Sequence, residues 1–336
     1  MKLFYTFLYK GETMNFNNDI DYPVMLSICI PTYNHEKYIR QALESVFMQK
    51  TQYTYEILVG EDKSTDNTRA VLEEIEKEQH PELKVFYREK NLHESDTRNS
   101  IDLMNKAVGK YLIFLEGDDY WIDDYKIENQ ISFLENHYDY IAVAHNCVVV
   151  DEDSRITDEQ YQECKETEYT FSHYACEILP GQTATIMMRN FKYFPGIDLS
   201  FLNSKSMPGD RKEDFTFLCY GKVYCIQKRM SAYRHVINSG SSWSATYQYD
   251  YSKIRDFYLE QREYSKKNQF KKAYIISDYM LYAAIRQALV LHHALSIKDF
   301  FCELKNVDSL LKCSYIMLKR DLLRYIFKKT IFFPEV

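Results

Sequence analysis

The chain has no run of eighteen apolar residues, no Cys-x-x-Cys pair, no Gly-x-Gly-x-x-Gly after its first strand and no Gly-x-x-x-x-Gly-Lys-Ser/Thr loop. Each absence removes a class of function. Lacking the first, the sequence predicts no membrane-spanning helix. Lacking the second, its eight irregularly spaced cysteines read as scattered thiols of a reducing compartment, neither a zinc site nor a secreted disulfide framework, so the expected location is the cytoplasm. Lacking the other two, the chain is expected to bind neither a dinucleotide nor a phosphate by a glycine-rich loop. No internal repeat or low-complexity tract is evident. The opening MKLFYTFLYKGET has no small-residue cleavage site and is not read as a signal peptide; Met14 is an alternative start, and residues 1–22 are expected as a loosely ordered leader.

Positive charge is short everywhere except at one end. The net charge is −7, yet the segment from Tyr251 onward carries about +7 and the remainder about −14. The acidic part is not expected to bind nucleic acid.

What is present is an alternation. VMLSICI, from Val24 to Ile30, is a β-rich run, followed by a segment with Ile39, Leu43, Val46 and Phe47 at helical spacing. YEILVG then leads into RAVLEEIEKEQ, with Asp66 or Thr65 placed to cap the helix. KVFYRE, RNSIDLMNKAV and KYLIFLE continue as strand, helix, strand, and KIENQISFLENH and YIAVAHNCVVV as helix, strand. Such alternation predicts an α/β fold with a mostly parallel sheet covered on both faces. The polar DEDSRITDEQYQECKETE reads as a surface excursion, QTATIMMRN and KVYCIQKRMSAYRH as strands, and KEDFTFLCY as a helix between them. Beyond Tyr251 the patterns are helical. The domains are therefore expected at 23–245, α/β, and 246–336, helical.

Ligands of open parallel sheets sit beyond the carboxyl ends of the strands. The loops there are PTYN, GEDKSTDNT, REKNLHESDTRN and EGDDYW, and all are polar. Carboxylates crowded at the end of an apolar strand, as Glu116, Asp118 and Asp119 are, suit Mg²⁺ or Mn²⁺, which take oxygen ligands and complete their shell with phosphates and water. Asp118 and Asp119 would equally suit capping of the helix near Asp123, and Glu61 and Asp62 the first turn of theirs.

The ordered set SICIPTYN, YEILVGEDKSTDNT, Asn91, Thr97 to Asn99 and AVGKYLIFLEGDDYW resembles the family 2 glycosyltransferases, inverting enzymes of the GT-A fold, and especially the bacterial branch that builds surface polysaccharides. The likeness is continuous from Val24 to Trp121 and weaker to Trp243. It implies that Pro31, Thr32 and Tyr33 line the nucleotide pocket and that Glu61 and Asp62 approach the base and ribose. Glu61 stands where the family usually has Asp, and Lys63 where Gly is common. It further implies that Arg98 lies near the donor nucleotide; His93, where a glycine is common, is unassigned. EGDD aligns with the family's Asp-x-Asp: Asp118 first and Asp119 second as metal ligands, Glu116 facing the donor ribose or sugar, Gly117 between them.

An inverting transfer needs a general base for the acceptor hydroxyl. In the family this carboxylate opens a helix about eleven residues before a glycine, a spacing that Asp210 meets to Gly221; Asp214 is the reserve. Arg234 and His235 match positions that can approach donor phosphates or metal. Thr183 and Thr185 line the acceptor side or are simply strand formers. The resemblance thus implies a metal-dependent, non-processive glycosyltransferase moving a sugar from a UDP-linked or other nucleotide-diphospho-sugar to a glycan or lipid-linked acceptor. The Gln-x-x-Arg-Trp motif of polysaccharide synthases is missing. The alternative is a catalytically silent nucleotide-sugar-binding module, hinted at by Glu61; a nucleotidyltransferase would need a Gly-rich loop that PTYN is not. The basic tail either holds the protein at an anionic membrane or packs on the catalytic domain or on a second subunit.

Overall fold

The computed structural model describes residues 6–9, 12–15, 22–92, 98–194, 196–204, 209–236 and 249–327, with backbone alone at 6–9, 12–15 and 321–327. His93, Thr97 and residues 237–248, Trp243 among them, lie outside the described residues. The chain divides into two compact units: Met1–Glu168 with Pro180–Ile197 and Gly221–Ile237, and Tyr169–Leu179 with Asp198–Tyr220 and Asn238–Val336. The second therefore takes Tyr169–Leu179, Asp198–Tyr220 and residues 238–245 from inside the range 23–245.

In the first unit, β1 (Thr6–Tyr9) and β2 (Glu12–Asn15) pair antiparallel within the stretch expected as a leader. The elements then run β3 (Leu26–Thr32), α1 (Ile39–Phe47), β4 (Tyr55–Glu61), α2 (Thr68–Glu76), β5 (Leu83–Tyr87), α3 (Asn99–Lys106), β6 (Tyr111–Phe114), β7 (Tyr120–Trp121), α4 (Lys126–Asn136) and β8 (Tyr140–Val150). The chain passes to the second unit at β9 (Glu168–Tyr169) and returns for β10 (Met187–Arg189) and β11 (Lys222–Arg234). The strands lie side by side in the order β5-β4-β3-β6-β10-β8-β11-β7.

β3, β4, β5 and β6 are parallel to one another along that path, as β8 is to β11; β10 runs antiparallel to both β6 and β8, and β7 to β11. Leu26 to Ile30 of β3 and Glu56 to Glu61 of β4 are buried without alternation, the mark of a strand covered on both faces. Ile39, Leu43 and Val46 of α1 and Leu72 and Ile75 of α2 join Ile28, Ile57, Val59 and Ile113 in one core, so the helical spacing read from the sequence faces the sheet. α2 begins later than Asp66: Asn67 occupies the capping position, and Asp66 instead accepts the amide and hydroxyl of Thr68 at 2.9 and 2.6 Å. QTATIMMRN is only half a strand. Gln182 accepts the Ala184 amide at 2.7 Å and Thr185 donates to the Gln182 carbonyl at 2.6 Å, winding Thr183–Thr185 into a 3-10 turn before β10 begins.

The second unit is helical: α5 (Phe171–Ala175), α6 (Gly209–Tyr220), α7 (Tyr251–Lys267), α8 (Lys271–Val290), α9 (Ile297–Glu303) and α10 (Leu310–Phe327). Phe215 of α6 packs its ring against Phe171, Tyr174 and Phe201. α7 and α8 are tied by buried polar pairs, Gln261 to Ser277 and Arg262 to Asp278, both at 3.0 Å. Among the described residues no helix is long and apolar enough to cross a membrane.

Candidate functional site

Three strand-end loops are stitched together at the carboxyl ends of β3, β4 and β6. The Asp62 amide donates to the Thr32 carbonyl at 3.0 Å, the Gly117 amide to the Pro31 carbonyl at 3.3 Å, and the Asn34 amide to the Ser64 hydroxyl at 3.0 Å. Asn91, beyond β5, adds a bond from its side chain to the Asp62 carbonyl at 3.0 Å. The stitching needs unusual backbone at two points: Asn34 and Lys63 both have φ of 58°. This left-handed conformation is free to glycine and costs a lysine about 1 kcal/mol, which gives physical meaning to a lysine standing where the resembling family commonly has Gly.

Glu61 and Asp62 do different work from one another. Glu61 is fully buried; one oxygen takes Nε and Nη2 of Arg69 at 2.9 and 2.6 Å, the other the Ser64 amide at 2.5 Å. Its carboxylate builds the loop. Asp62 accepts the Leu92 amide at 2.8 Å, which draws the segment after β5 toward the same strand end. Arg98 is half-buried at the N-cap of α3, and the exposed Tyr33 stands beside the buried Thr32.

The acidic cluster splits along similar lines. The Asp118 side chain is 36 % exposed, with His35 Nε2 3.8 Å from one oxygen. His35 is held by its other nitrogen, 3.1 Å from the Thr32 hydroxyl. Gly117 packs so tightly on this pair that a Cβ there would come within 2.5 Å of the Thr32 hydroxyl and 2.6 Å of His35 Nδ1. Asp119 turns inward. Only 2 % exposed, it accepts the Arg234 amide at 2.8 Å on one oxygen and Gln182 Nε2 at 2.7 Å on the other. Burial, then the charges of Asp118 and Glu116, push its pKa well above the carboxylate range, against the pull of the Arg234 and Gln182 bonds. Expected as a second metal ligand, Asp119 thus has both oxygens engaged by the protein, as a group that fixes the loop.

Arg234 completes the loop's support from the far end of β11. Its guanidinium donates to the Asp118 carbonyl at 2.9 Å, to the Asp151 and Glu152 carbonyls at 2.8 and 3.0 Å, and to Gln41 and Ser154 at 2.8 and 3.0 Å, and it lies 4.3 Å from the centroid of the Tyr38 ring. The guanidinium that was expected near donor phosphates is engaged with backbone and side chains around the acidic loop. His35, Gln41 and Gln182 were not singled out in the sequence. No local pattern marks them, because each acts on a residue far away in the chain. His235 pairs with Glu159 at 2.7 Å, and Thr185 is buried in the turn described above.

Beneath the loop, Lys126 is wholly buried and lies 4.3 Å from the Trp121 ring centroid, donating to Gln130 at 2.6 Å. Burial drives its pKa well below the ordinary lysine value.

In the second unit, Asp210 is exposed in the first turn of α6 and accepts the Arg211 amide at 2.7 Å. Asp214, one turn on, is buried, and burial raises its pKa well above the carboxylate range despite Arg211. Asp210 is the accessible acid of the two.

Comparison with known proteins places these features in a family. The model of glycosyl transferase family 2 matches residues 27–197. An uncharacterized Mycobacterium tuberculosis protein is 34 % identical over 129 residues, 38 % of this chain and 36 % of its own length. The putative teichuronic acid biosynthesis glycosyltransferase TuaG of Bacillus subtilis is 34 % identical over 110 residues, 33 % of this chain and 42 % of its own. The matches span less than half the length of these curated relatives. The crystal structure of Staphylococcus aureus TarS in complex with UDP-GlcNAc aligns with a TM-score of 0.57 at 18 % identity, over 86 % of this chain and 81 % of that one, a likeness of fold.

Proposed function

The chain belongs to glycosyl transferase family 2, and we propose that it is a metal-dependent, inverting, non-processive glycosyltransferase of bacterial surface-polysaccharide synthesis, moving one sugar from a nucleotide-diphospho-sugar to a glycan or lipid-linked acceptor. The observation that carries this reading is Asp118. It is a partly exposed carboxylate at the meeting point of the strand-end loops, while its neighbour Asp119 and the loop acid Glu61 are held inward. That the solved neighbour was captured with UDP-GlcNAc supports a UDP-sugar as donor.

A hard divalent cation fits the donor set, because Mg²⁺ and Mn²⁺ are commonly held by one or two carboxylates with the substrate diphosphate and water supplying the rest. Asp118 would hold it, and Asp119, through its grip on Arg234 and Gln182, sets where Asp118 stands. Bound there, the ion supplies positive charge for the diphosphate that leaves. Pro31, Thr32, Tyr33, Asp62 and Arg98 bound the nucleotide; Glu61 shapes that wall through Arg69; Glu116 and Gly117 lie toward the ribose and sugar. Asp210 is the base that takes the proton of the acceptor hydroxyl as its oxygen bonds to the anomeric carbon and the bond to the diphosphate breaks. We assign catalysis to residues 23–245 and place the reaction in the cytoplasm, with the tail helices free to meet a membrane or a second copy.

The deciding experiment is thermal stabilisation by nucleoside diphosphates with and without Mn²⁺, followed by a transfer assay. Stabilisation by UDP that needs both Mn²⁺ and Asp118 is expected, since a ligand of the native state alone raises stability by mass action. A UDP response with no transfer to any acceptor tried would favour the silent binding module. The absence of any nucleotide response from folded protein would end the transferase reading.

A further inference from the structure

His35, in the loop after β3, is fixed through its backbone before its ring makes any contact. Its amide donates to the Thr68 hydroxyl at 2.8 Å, and its carbonyl accepts the amides of Tyr38 and Ile39, both at 2.9 Å. The ring then spans two groups of the site: Nδ1 is 3.1 Å from the Thr32 hydroxyl, and Nε2 is 3.8 Å from one oxygen of Asp118. Gly117, packed on the Thr32–His35 pair, closes that side of the ring.

Which ring nitrogen carries the proton follows from Thr32. That residue is 2 % exposed, and among the described residues His35 Nδ1 is the one hydrogen-bond partner of its hydroxyl. A buried donor left without an acceptor costs about 1–3 kcal/mol, so the hydroxyl donates and Nδ1 accepts. A neutral imidazole with one nitrogen accepting carries its proton on the other. Nε2–H therefore faces Asp118. The opposite tautomer would strand the Thr32 proton and turn a lone pair on a carboxylate.

Asp118 lacks any other donor. Both oxygens of Asp119 are occupied by Arg234 and Gln182, whereas among the described residues nothing donates to the Asp118 carboxylate and His35 alone stands in ion-pair range of it. Asp66, the acid of the adjoining loop, already accepts from Thr68 and from the Glu36 amide. The separation of 3.8 Å exceeds a hydrogen bond by about 1 Å, which a turn of the partly exposed Asp118 side chain closes. Carboxylates that hold a metal are themselves hydrogen-bonded, and loss of such a partner costs about 10- to 100-fold in metal affinity.

We propose that His35 is a positioning residue for the metal: held in its Nε2–H form by Thr32, it donates to one oxygen of Asp118 and leaves the other turned toward the cation. This role rests on Asp118 being the ligand that holds the ion.

The pairing is read first without metal, on the full chain isotopically labelled at histidine nitrogen. Long-range proton–nitrogen correlation spectra, with His35 identified by its loss in His35→Asn, should show the Nε2–H form, and Asp118→Asn should shift its resonances. The Nδ1–H form, or His35 signals indifferent to Asp118→Asn, overturns the proposal. Mn²⁺ is then titrated at fixed UDP, with bound ion read from water proton relaxation and folding checked by circular dichroism. His35→Asn keeps a polar group within reach of Thr32 but none at the Nε2 position, and should weaken Mn²⁺ by about tenfold or more. His35→Gln returns an amide nitrogen close to that position and should recover most of the loss. Equal losses in the two folded variants would make His35 a support of the loop alone and overturn the role. Wild-type affinity in His35→Asn with loss in Asp118→Asn also overturns it, while leaving Asp118 as the ligand. Wild-type affinity in Asp118→Asn removes the metal reading and this role together.

Discussion

Asp119 accepts the backbone amide of Arg234 at 2.8 Å, a bond between residues 115 apart in sequence that pins the acidic loop after β6 to the last residue of β11. Gln182 holds the other oxygen, and the topology explains how it gets there. Because β10 runs antiparallel to β6, with Met187 opposite Ile113 and Arg189 opposite Tyr111, it is the segment before β10 that lies at the carboxyl end of β6. An all-parallel neighbour would have delivered a different loop.

Asp119→Ala should therefore destabilise the protein by about 2–4 kcal/mol, because two buried donors lose their acceptor. Asp119→Asn keeps one of the two acceptors, leaves a single donor unmatched and should cost less than alanine, about 1–2 kcal/mol. Urea unfolding of both measures the difference. If alanine costs no more than asparagine, the pinning role is wrong.

Asp118→Asn should fold with an unchanged melting temperature, its side chain being partly exposed, yet lose Mn²⁺-dependent stabilisation by UDP. Asp119→Asn should retain much of that stabilisation. A differential scanning experiment on the pair separates ligand from scaffold, and identical loss in both would restore Asp119 as a direct ligand.

Arg69→Ala strips the buried Glu61 of its guanidinium partner, a change worth about 3–5 kcal/mol when a buried pair is broken from one side; the 42 % exposure of Arg69 argues for the lower end. Adding Glu61→Gln to Arg69→Ala should recover part of the loss. Stability of the double variant below that of the single one would mean that Glu61 is held chiefly by the Ser64 amide.

For transfer, Asp210→Asn should lower kcat by about 10²- to 10⁴-fold, the usual worth of a positioned base, with donor affinity unaltered. Asp214→Asn, at a buried carboxyl, should be read in stability before activity. Steady-state kinetics with varied donor checks this; a fully active Asp210→Asn would remove it from the mechanism.

Acid should loosen the second unit through Asp198. Burial alone would raise its pKa, but bonds from Lys267, Asn268 and Ser200 more than offset that and hold it far below the usual carboxylate value. Since the folded pKa is the lower one, the stabilisation is complete above the unfolded value near 4 and fades as pH falls toward the folded one. Asp198→Asn should lower stability at pH 7 and flatten the stability–pH curve below pH 4, as circular dichroism across pH would show.

Much of this was written locally in the chain. The boundaries of YIAVAHNCVVV match β8, Tyr140–Val150, because β-branched and small apolar residues on either side of His145 and Asn146 mark a strand that is buried over most of its length. The α1 face was equally plain. What stayed hidden was long-range. DEDSRITDEQYQECKETE looks like pure surface, yet Cys164 and Glu163 are buried, Glu163 accepting the Cys147 amide at 3.1 Å. Which of Asp118 and Asp119 faces outward was also illegible, because the choice is made by Gln182 and Arg234, whose arrival depends on how the strands are ordered in the sheet.

Trp121, the residue that Lys126 lies against, is 1 % exposed and three positions beyond Asp118. An indole sealed from water and stacked by an amine is an optical reporter already in place: its emission should be blue and out of reach of aqueous quenchers. With Trp243 replaced by phenylalanine, any movement of the acidic loop, whether from metal, nucleotide or a substitution at Gly117, would then register as a change in Trp121 fluorescence without a label.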